Sequence, residues 1–494
     1  MAKNKKTPQT KLKPRAIPAT VLAVIVLLAL LPVNLLAQRV DIRWDMTPNR
    51  FYTISELTPQ LMATLDNTVD IYTMYSLSDL EDLTDISADI RPIYEAMGQV
   101  ISQYDQFEKV NVINADPYTD EGAAVITALS LDQNLNLQYG DTVIKCGGVI
   151  KVISLYDMLV TETDENTGIT SHIGYSCEND LTSAILFAYL HSTPETRLNV
   201  YTVEGHGEKT DYEKITDHLS AEGYAFSSLK LSDGIPENAS MLILAAPEED
   251  LTASERVTVD EYLDRGGAVC MLMPPNEAKL DYVNIEEILR KFSIGMRYDT
   301  AHDPVQTNSA TPDNTSLFRA RYTPGTIIQQ SLLDSEEVFP IASDSRTFYV
   351  LSTGKLANQN VEIGSITYGT AKSTPTGGTN PAPEAAEGEL NLSMYAEDPA
   401  RGGARLFVIG EAEFIDDTNI SNEFSMGNYY LFMDAVTWLT QSDVNLEIAD
   451  KVKENDFMAL SAESTATGLI VLFAAIPAVI AGAGIVVWLR RRKS

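Results

Sequence analysis

Residues Glu204-Gly205-His206-Gly207-Glu208 set one imidazole between two carboxylates, with a glycine on each side of the ring. Such a set could bind a metal ion or move a proton, because imidazole titrates near neutrality and carboxylates accept. A catalytic zinc draws on three clustered protein ligands and an open fourth position. One His and two Glu within five residues do not make that cluster by spacing alone. The plainer chemistry is a turn, in which the glycines carry the chain out of a strand and Glu208 caps or faces the next helix start. We therefore take Glu204, Gly205, His206, Gly207 and Glu208 as a candidate binding turn. No catalytic residue, metal or cofactor is assigned.

Other chemistry has little support. No G-x-S-x-G or G-x-C-x-G elbow follows a strand, and no P-loop or G-x-G-x-x-G opens a helix. His172, His191, His206, His218 and His302 are scattered, and none pairs obviously with a Ser or Cys. Cys146, Cys177 and Cys270 form no CxxC pair. Cys270 lies in the apolar run 268–273 and reads as a small buried hydrophobe.

The elements that would position the turn follow from hydrophobic periodicity. A first unit, residues 38–195, reads as helix 58–67, strand 69–75, helical region 86–107, strand 110–114, a polar stretch, hairpin 141–153 and helix 178–190. Thr58 is the expected N-cap of the first helix, with Pro59 behind it. A second unit, residues 196–460, reads as strand 198–203, the turn, helix 211–221, strands 226–231 and 240–245, helix 252–265 and strand 268–273. Thr252 and Glu255 form a capping box, and Gly266-Gly267 stops that helix. Continuous apolar strands between helices predict a doubly wound parallel sheet, so the fold class is α/β. Residues 370–389, rich in Pro, Gly, Thr and Ala, are expected to be a linker. Strand 405–409, a polar loop 410–422 and helix 428–440 then complete the sheet.

Two stretches of 22 residues, 16–37 and 468–489, carry no charged side chain. Each is long enough to cross a bilayer, for which about 20 residues suffice. Basic residues flank each on the terminal side: 1–15 in front, and Arg490-Arg491-Arg492-Lys493 in the tail 490–494. Basic flanks stay in the cytoplasm, so both termini are expected inside and residues 38–467 outside. Leu35-Leu36-Ala37 is a poor cleavage site, which favours an uncleaved anchor over a signal peptide. All 69 acidic residues lie between the two stretches, while ten of the 36 basic ones lie in the flanks. A body that acidic excludes nucleic-acid binding through phosphate contacts and flat adsorption on anionic lipid.

The chain resembles the GldG family, auxiliary components of an ABC-type transport system first associated with gliding motility. The resemblance rests on Arg50-Phe51-Tyr52-Thr53-Ile54-Ser55, on the strand and turn 200–208, and on Tyr262-Leu263-Asp264-Arg265-Gly266-Gly267. It rests also on residues 408–414, with Gly410 and Phe414, and on 427–439, with Gly427, Asn428 and Trp438. Together these cover nearly the whole chain in order. The resemblance implies a thioredoxin-like N-terminal α/β domain without CxxC, then a class I glutamine amidotransferase-like domain without its Cys elbow. It implies a non-catalytic subunit of the cell membrane, partnered by an ABC permease and a cytoplasmic ATPase. Two alternatives stand beside it: a tethered envelope hydrolase or metal enzyme using Glu204, His206 and Glu208, and a structural envelope scaffold.

Overall fold

The computed structural model describes residues 45–453, except 46, 48, 78–79, 81–89, 134, 165–166, 168, 211, 276–280, 306–312, 325–337, 352–359, 370–371, 376–386, 418–425, 445 and 447. The stretches 16–37 and 468–489 and their basic flanks lie outside the described residues. Among the described residues no helix is long and apolar enough to cross a membrane. The chain divides into two units, Met1–Phe51 and Tyr52–Ser494. In the first, the Phe51 N–H donates to Thr47 Oγ1 at 2.6 Å. The expected division near residue 195 falls inside the second unit, whose fold is mixed α/β.

That unit opens with α1 (Leu57–Met62). Thr58 is not the N-cap: the helix starts one residue earlier, behind Glu56, and the Thr58 hydroxyl is buried against Glu178 Oε1 at 2.6 Å. Next come β1 (Val69–Thr73), α2 (Arg91–Gln103), β2 (Val110–Asn114), α3 (Asp120–Gln133), β3 (Asp141–Cys146) and β4 (Val149–Ser154). The strands form one sheet in the order β2-β1-β3-β4. β1 runs parallel to β2 and antiparallel to β3, and β3 and β4 make the expected hairpin. α2 buries Ile93, Met97, Val100 and Ile101, the spacing of one helical face. α3 falls within the stretch read from sequence only as polar, with no element assigned to it. Its apolar residues run around the helix rather than along one face, which removes the periodic signal. A second hairpin, β5 (Leu159–Thr163) with β6 (Thr170–Tyr175), precedes α4 (Cys177–Leu190).

The large sheet begins with β7 (Asn199–Val203), α5 (Glu213–Ala221), β8 (Ala225–Leu229), β9 (Ala239–Ala245), α6 (Ala253–Asp264), β10 (Ala268–Leu272) and α7 (Val283–Lys291). There follow β11 (Ile294–Met296), β12 (Asp299–His302), β13 (Leu317–Arg319), β14 (Arg321–Tyr322), β15 (Ile341–Ser343), β16 (Phe348–Val350), β17 (Glu362–Gly369), β18 (Lys372–Pro375) and β19 (Leu390–Asp398). β20 (Ala404–Ile409), α8 (Met426–Thr440) and β21 (Lys451–Val452) end the described chain.

Strands β8-β7-β9-β10-β20 are parallel neighbours in that order. The chain thus steps one way from β7 to β8 and the other way to β9. Alternation along the strands decides what each face meets. Leu242, Leu244, Val269 and Met271 share a core with Val259 and Leu263 of α6 and Ile285 and Leu289 of α7. Met241, Ile243 and Cys270 point the other way and are equally buried. α8 packs on β9, β10 and β20, and its Tyr429 ring lies 4.8 Å from His218 of α5. Helices therefore flank the parallel strands.

Beyond β20 the sheet turns antiparallel through β19 to β16 and β11, with β17 also on β19. None of this extension was expected from sequence. Part of the expected linker 370–389 is strand as well, since β18 pairs with β12. The polar loop after β20 proves partly internal, with Glu411, Phe414 and Ile415 buried. β21 returns to pair antiparallel with β6, adding a third strand to the β5–β6 hairpin.

Candidate functional site: the turn between β7 and β9

In open parallel sheets, ligands sit at the carboxyl ends of the strands, where the strand order reverses. Here that place lies between β7 and β9, and the Glu204–Glu208 turn occupies it. The Glu204 N–H continues the ladder by donating to Leu229 O at 2.9 Å. Gly205 (φ +125°) and Gly207 (φ +75°) then turn the chain through left-handed backbone. A Cβ on Gly207 would sit 2.9 Å from Glu248 Cβ, so a glycine is required there twice over.

The Glu208 carboxylate folds back into the turn. Its Oε2 accepts the Gly205 and His206 N–H groups at 2.9 and 2.8 Å, and its Oε1 lies 2.8 Å from His206 Nδ1. His206 Nε2 lies 3.1 Å from Glu255 Oε2. Glu255 also accepts the N–H and hydroxyl of Thr252, the expected capping box at the start of α6. His206 O accepts from Glu248 and Glu249, in the loop after β9, at 2.8 and 3.0 Å. The two loops that would border a crevice are thereby stitched together.

A carboxylate offers only acceptors. An imidazole between two of them must donate from both nitrogens, which makes it an imidazolium. Burial alone pushes the His206 pKa down, but the hydrogen bonds and charges of Glu255 and Glu208 outweigh it and the net shift is upward. For Glu255, desolvation acts upward, and the Thr252 bonds followed by His206 carry the net shift downward. His206 is 6% exposed. In this state it holds no free lone pair to abstract a proton or ligate a metal.

The sequence brought together the right ring and one right carboxylate. Glu204 is exposed and takes no part in this ion triad. Glu255, known from sequence only as a capping residue, supplies the second carboxylate. Among the described residues no group of three His, Cys, Asp or Glu side chains is arranged to hold a metal ion. The three cysteines are buried free thiols. Burial pushes the Cys270 thiol up to about 12 and raises those of Cys146 and Cys177, so none is a thiolate nucleophile near neutrality.

The other motif residues are builders. A Cβ on Gly410 would stand 2.0 Å from Arg346 O, because Arg346 N–H donates to Gly410 O at 2.6 Å. Phe414 is buried beside Glu411 and Leu431. Gly427 lets α8 approach Phe339 O, which a Cβ would meet at 2.1 Å. The Asn428 amide pairs with both backbone groups of Ile341, at 2.8 and 3.2 Å. Trp438 stacks near Tyr395 and Arg405, and its carbonyl accepts from Arg405 Nη1 at 2.6 Å. Sequence reading passed over Arg346, whose wholly buried guanidinium is held by the carbonyls of Pro274 and Arg297. No spacing signal marks such a residue.

No protein-family model matches this chain, and no curated protein matches it. Among solved structures it is similar over part of its length to the mmIFT52 N-terminal domain, with 18% identity and a TM-score of 0.38 over 50% of this chain and 100% of that one. A thua-like protein from Bacteroides uniformis gives 12% and 0.30 over 50% of this chain and 93% of its own. PurLQS from Thermotoga maritima gives 9% and 0.27 over 49% and 99%.

Proposed function

We propose that this protein is a membrane-anchored, non-catalytic auxiliary subunit of an ABC-2-type transporter, as its GldG-like residue order implies. On this reading residues 16–37 and 468–489 are its membrane helices and both termini are cytoplasmic. The α/β body faces outward, and its partners are a separate permease and a cytoplasmic ATPase. The observation that carries the non-catalytic part is the state of His206. The one constellation that suggested chemistry is spent on joining the β7 turn to α6, at the place where this topology would otherwise open a ligand crevice. The sheet orders support the finer fold reading. The order β2-β1-β3-β4 suits a thioredoxin-like domain without its dithiol. The parallel run β8-β7-β9-β10-β20 suits an amidotransferase-like domain without its nucleophile.

The experiment is affinity purification of the tagged full chain from native membranes in mild detergent. A multi-span permease and an ATPase should co-purify in fixed ratio, and ATP turnover should change when this chain is removed. Recovery of neither partner would reject the proposal.

A further inference from the structure

The first sheet gathers aromatic side chains along one edge. Asn114, Thr73, Thr142 and Ile153 are aligned across β2, β1, β3 and β4. The loops that leave or enter the sheet beside them therefore lie together. From these loops rise Tyr118 (83% exposed), Tyr139 (42%) and Tyr156 (64%). The Tyr118 and Tyr139 rings lie 5.6 Å apart and tilted by 52°. Tyr156 lies over Gly140, its Cε2 3.6 Å from where a Cβ would stand. Single exposed apolar residues are ordinary on protein surfaces, whereas a contiguous group marks a contact site.

The same edge carries negative charge. Asp141 begins β3 beside Tyr139, and Asp157 follows Tyr156. Asp120 and Glu121 open α3 next to Tyr118. Asp141 stands opposite Ser154 across the β3–β4 hairpin, and the Asp157 N–H donates to Ser154 O at 3.1 Å, which puts both carboxylates at this end of the hairpin. Asp141 Oδ2 accepts the Gln138 N–H at 2.6 Å, and burial outweighs that bond to push its pKa up. Neither Asp141 nor Asp157 belongs to the ion pairs found among the described residues. A cation at this edge would be attracted by both carboxylates, and the neighbouring ring faces attract a cation too.

We propose that this edge docks a basic peptide segment of a partner protein, with Lys or Arg side chains over Tyr118 and Tyr156 and their charges shared by Asp141 and Asp157. Tyrosine and arginine are the residues that dominate protein–protein contacts. A polysaccharide would use the rings equally but would bring no charge to match the carboxylates of this edge, and a nucleic acid would be repelled. The inference rests on this edge alone and stands whether or not the partner belongs to a transporter.

The test uses the full chain in nanodiscs of neutral lipid and a fluorescent peptide of alternating Gly and Arg, read by anisotropy. Tyr118→Ala with Tyr156→Ala, and separately Asp157→Asn, should each weaken binding by about tenfold or more. Glu237→Gln, an exposed acidic residue in the 234–238 loop, should leave it unchanged. These side chains are exposed, so the variants fold. If the tyrosine double variant binds as tightly as the parent, the peptide is reading net charge only and the proposal fails. It fails equally if a cell-wall oligosaccharide binds more tightly than the peptide and does so through the tyrosines.

Discussion

Lys451 Nζ lies 2.7 Å from Glu178 Oε2, and both side chains are almost wholly buried, at 5% and 2% exposure. The same ammonium donates to Thr53 O, and Glu178 Oε1 accepts from Ser55 N–H and the Thr58 hydroxyl, both at 2.6 Å. One buried charge pair thus ties the second unit's opening residues to β21, close to the end of the described chain. Replacing Lys451 with Met should leave Glu178 buried and uncompensated, at a cost of about 3–5 kcal/mol. Replacing both, Glu178→Leu with Lys451→Met, should recover much of that loss. Burial raises the Glu178 pKa, but the bonds from Lys451, Thr58 and Ser55 outweigh it and the net shift is downward. A depressed carboxyl stabilises the fold above its unfolded value of 4.5 and loses that contribution as pH falls through the folded value. Urea unfolding of the single and double variants between pH 3 and 7 measures both effects, and equal losses in the single and double variants would contradict the pairing.

His206→Ala should unlatch the β7 turn from α6 and set Glu208 and Glu255 facing each other without a cation. We expect a loss of about 1–3 kcal/mol. The raised His206 pKa sets the pH window. Its contribution is complete below the unfolded value of 6.5 and is lost as pH rises through the higher folded value. The His206 ring protons followed by NMR should therefore titrate above 6.5, and the stability gap between parent and variant should close at alkaline pH. Titration below 6.5 would refute the double donation.

Gly410→Ala should be among the most damaging single-methyl changes in the chain. The added carbon would meet Arg346 O at 2.0 Å, and that atom is backbone and cannot swing away. The strand end would have to separate from Arg346, breaking the 2.6 Å bond from its N–H. A loss of about 3 kcal/mol or more is expected. Gly234→Ala is the control: its φ is +87° but a Cβ there meets nothing within 4 Å, so only backbone strain of about 1–2 kcal/mol remains. Chemical denaturation of the two variants side by side distinguishes a contact effect from a conformational one.

The parallel half of the large sheet was legible because each signal was local. β10 is an unbroken apolar run and β9 is one from Met241 onward, and α6 opens with Thr252 and Glu255 three residues apart. In the antiparallel half the alternation of Leu390, Leu392, Met394 and Ala396 in β19 was there to be read and was missed, whereas its shortest strands left no trace. Arg321–Tyr322 and Ile294–Met296 are two- and three-residue strands, too short to show alternation. The site divides in the same way. Glu208 was visible because it is two residues from His206. Glu255 was not, because it reaches the ring only after the chain has crossed β8 and β9 and started α6. Glu178 and Lys451 lie on elements near opposite ends of the unit, and no one-dimensional pattern joins them.

Glu411 sits at the end of β20 with its side chain buried, next to a small cavity lined by Ser345, Thr367 and Phe414. Its Oε2 accepts the Ser343 N–H at 2.6 Å. Desolvation raises its pKa to about 8, against the lowering effect of that bond and with added repulsion from Glu413, Asp344 and Asp416. The folded state therefore holds a proton that the unfolded state releases near 4.5. For an acid raised in this way, stability is greatest below 4.5 and declines as pH rises toward about 8, where the carboxyl must ionise in place or the fold must loosen. Glu411→Gln keeps an oxygen for Ser343 and removes the ionisation. The variant should match the parent near pH 5 and melt higher than it at pH 8 to 9, with a flatter pH profile between. Parallel melting curves across that range decide the matter, since a variant that tracks the parent at every pH would mean that Glu411 ionises freely in the folded protein.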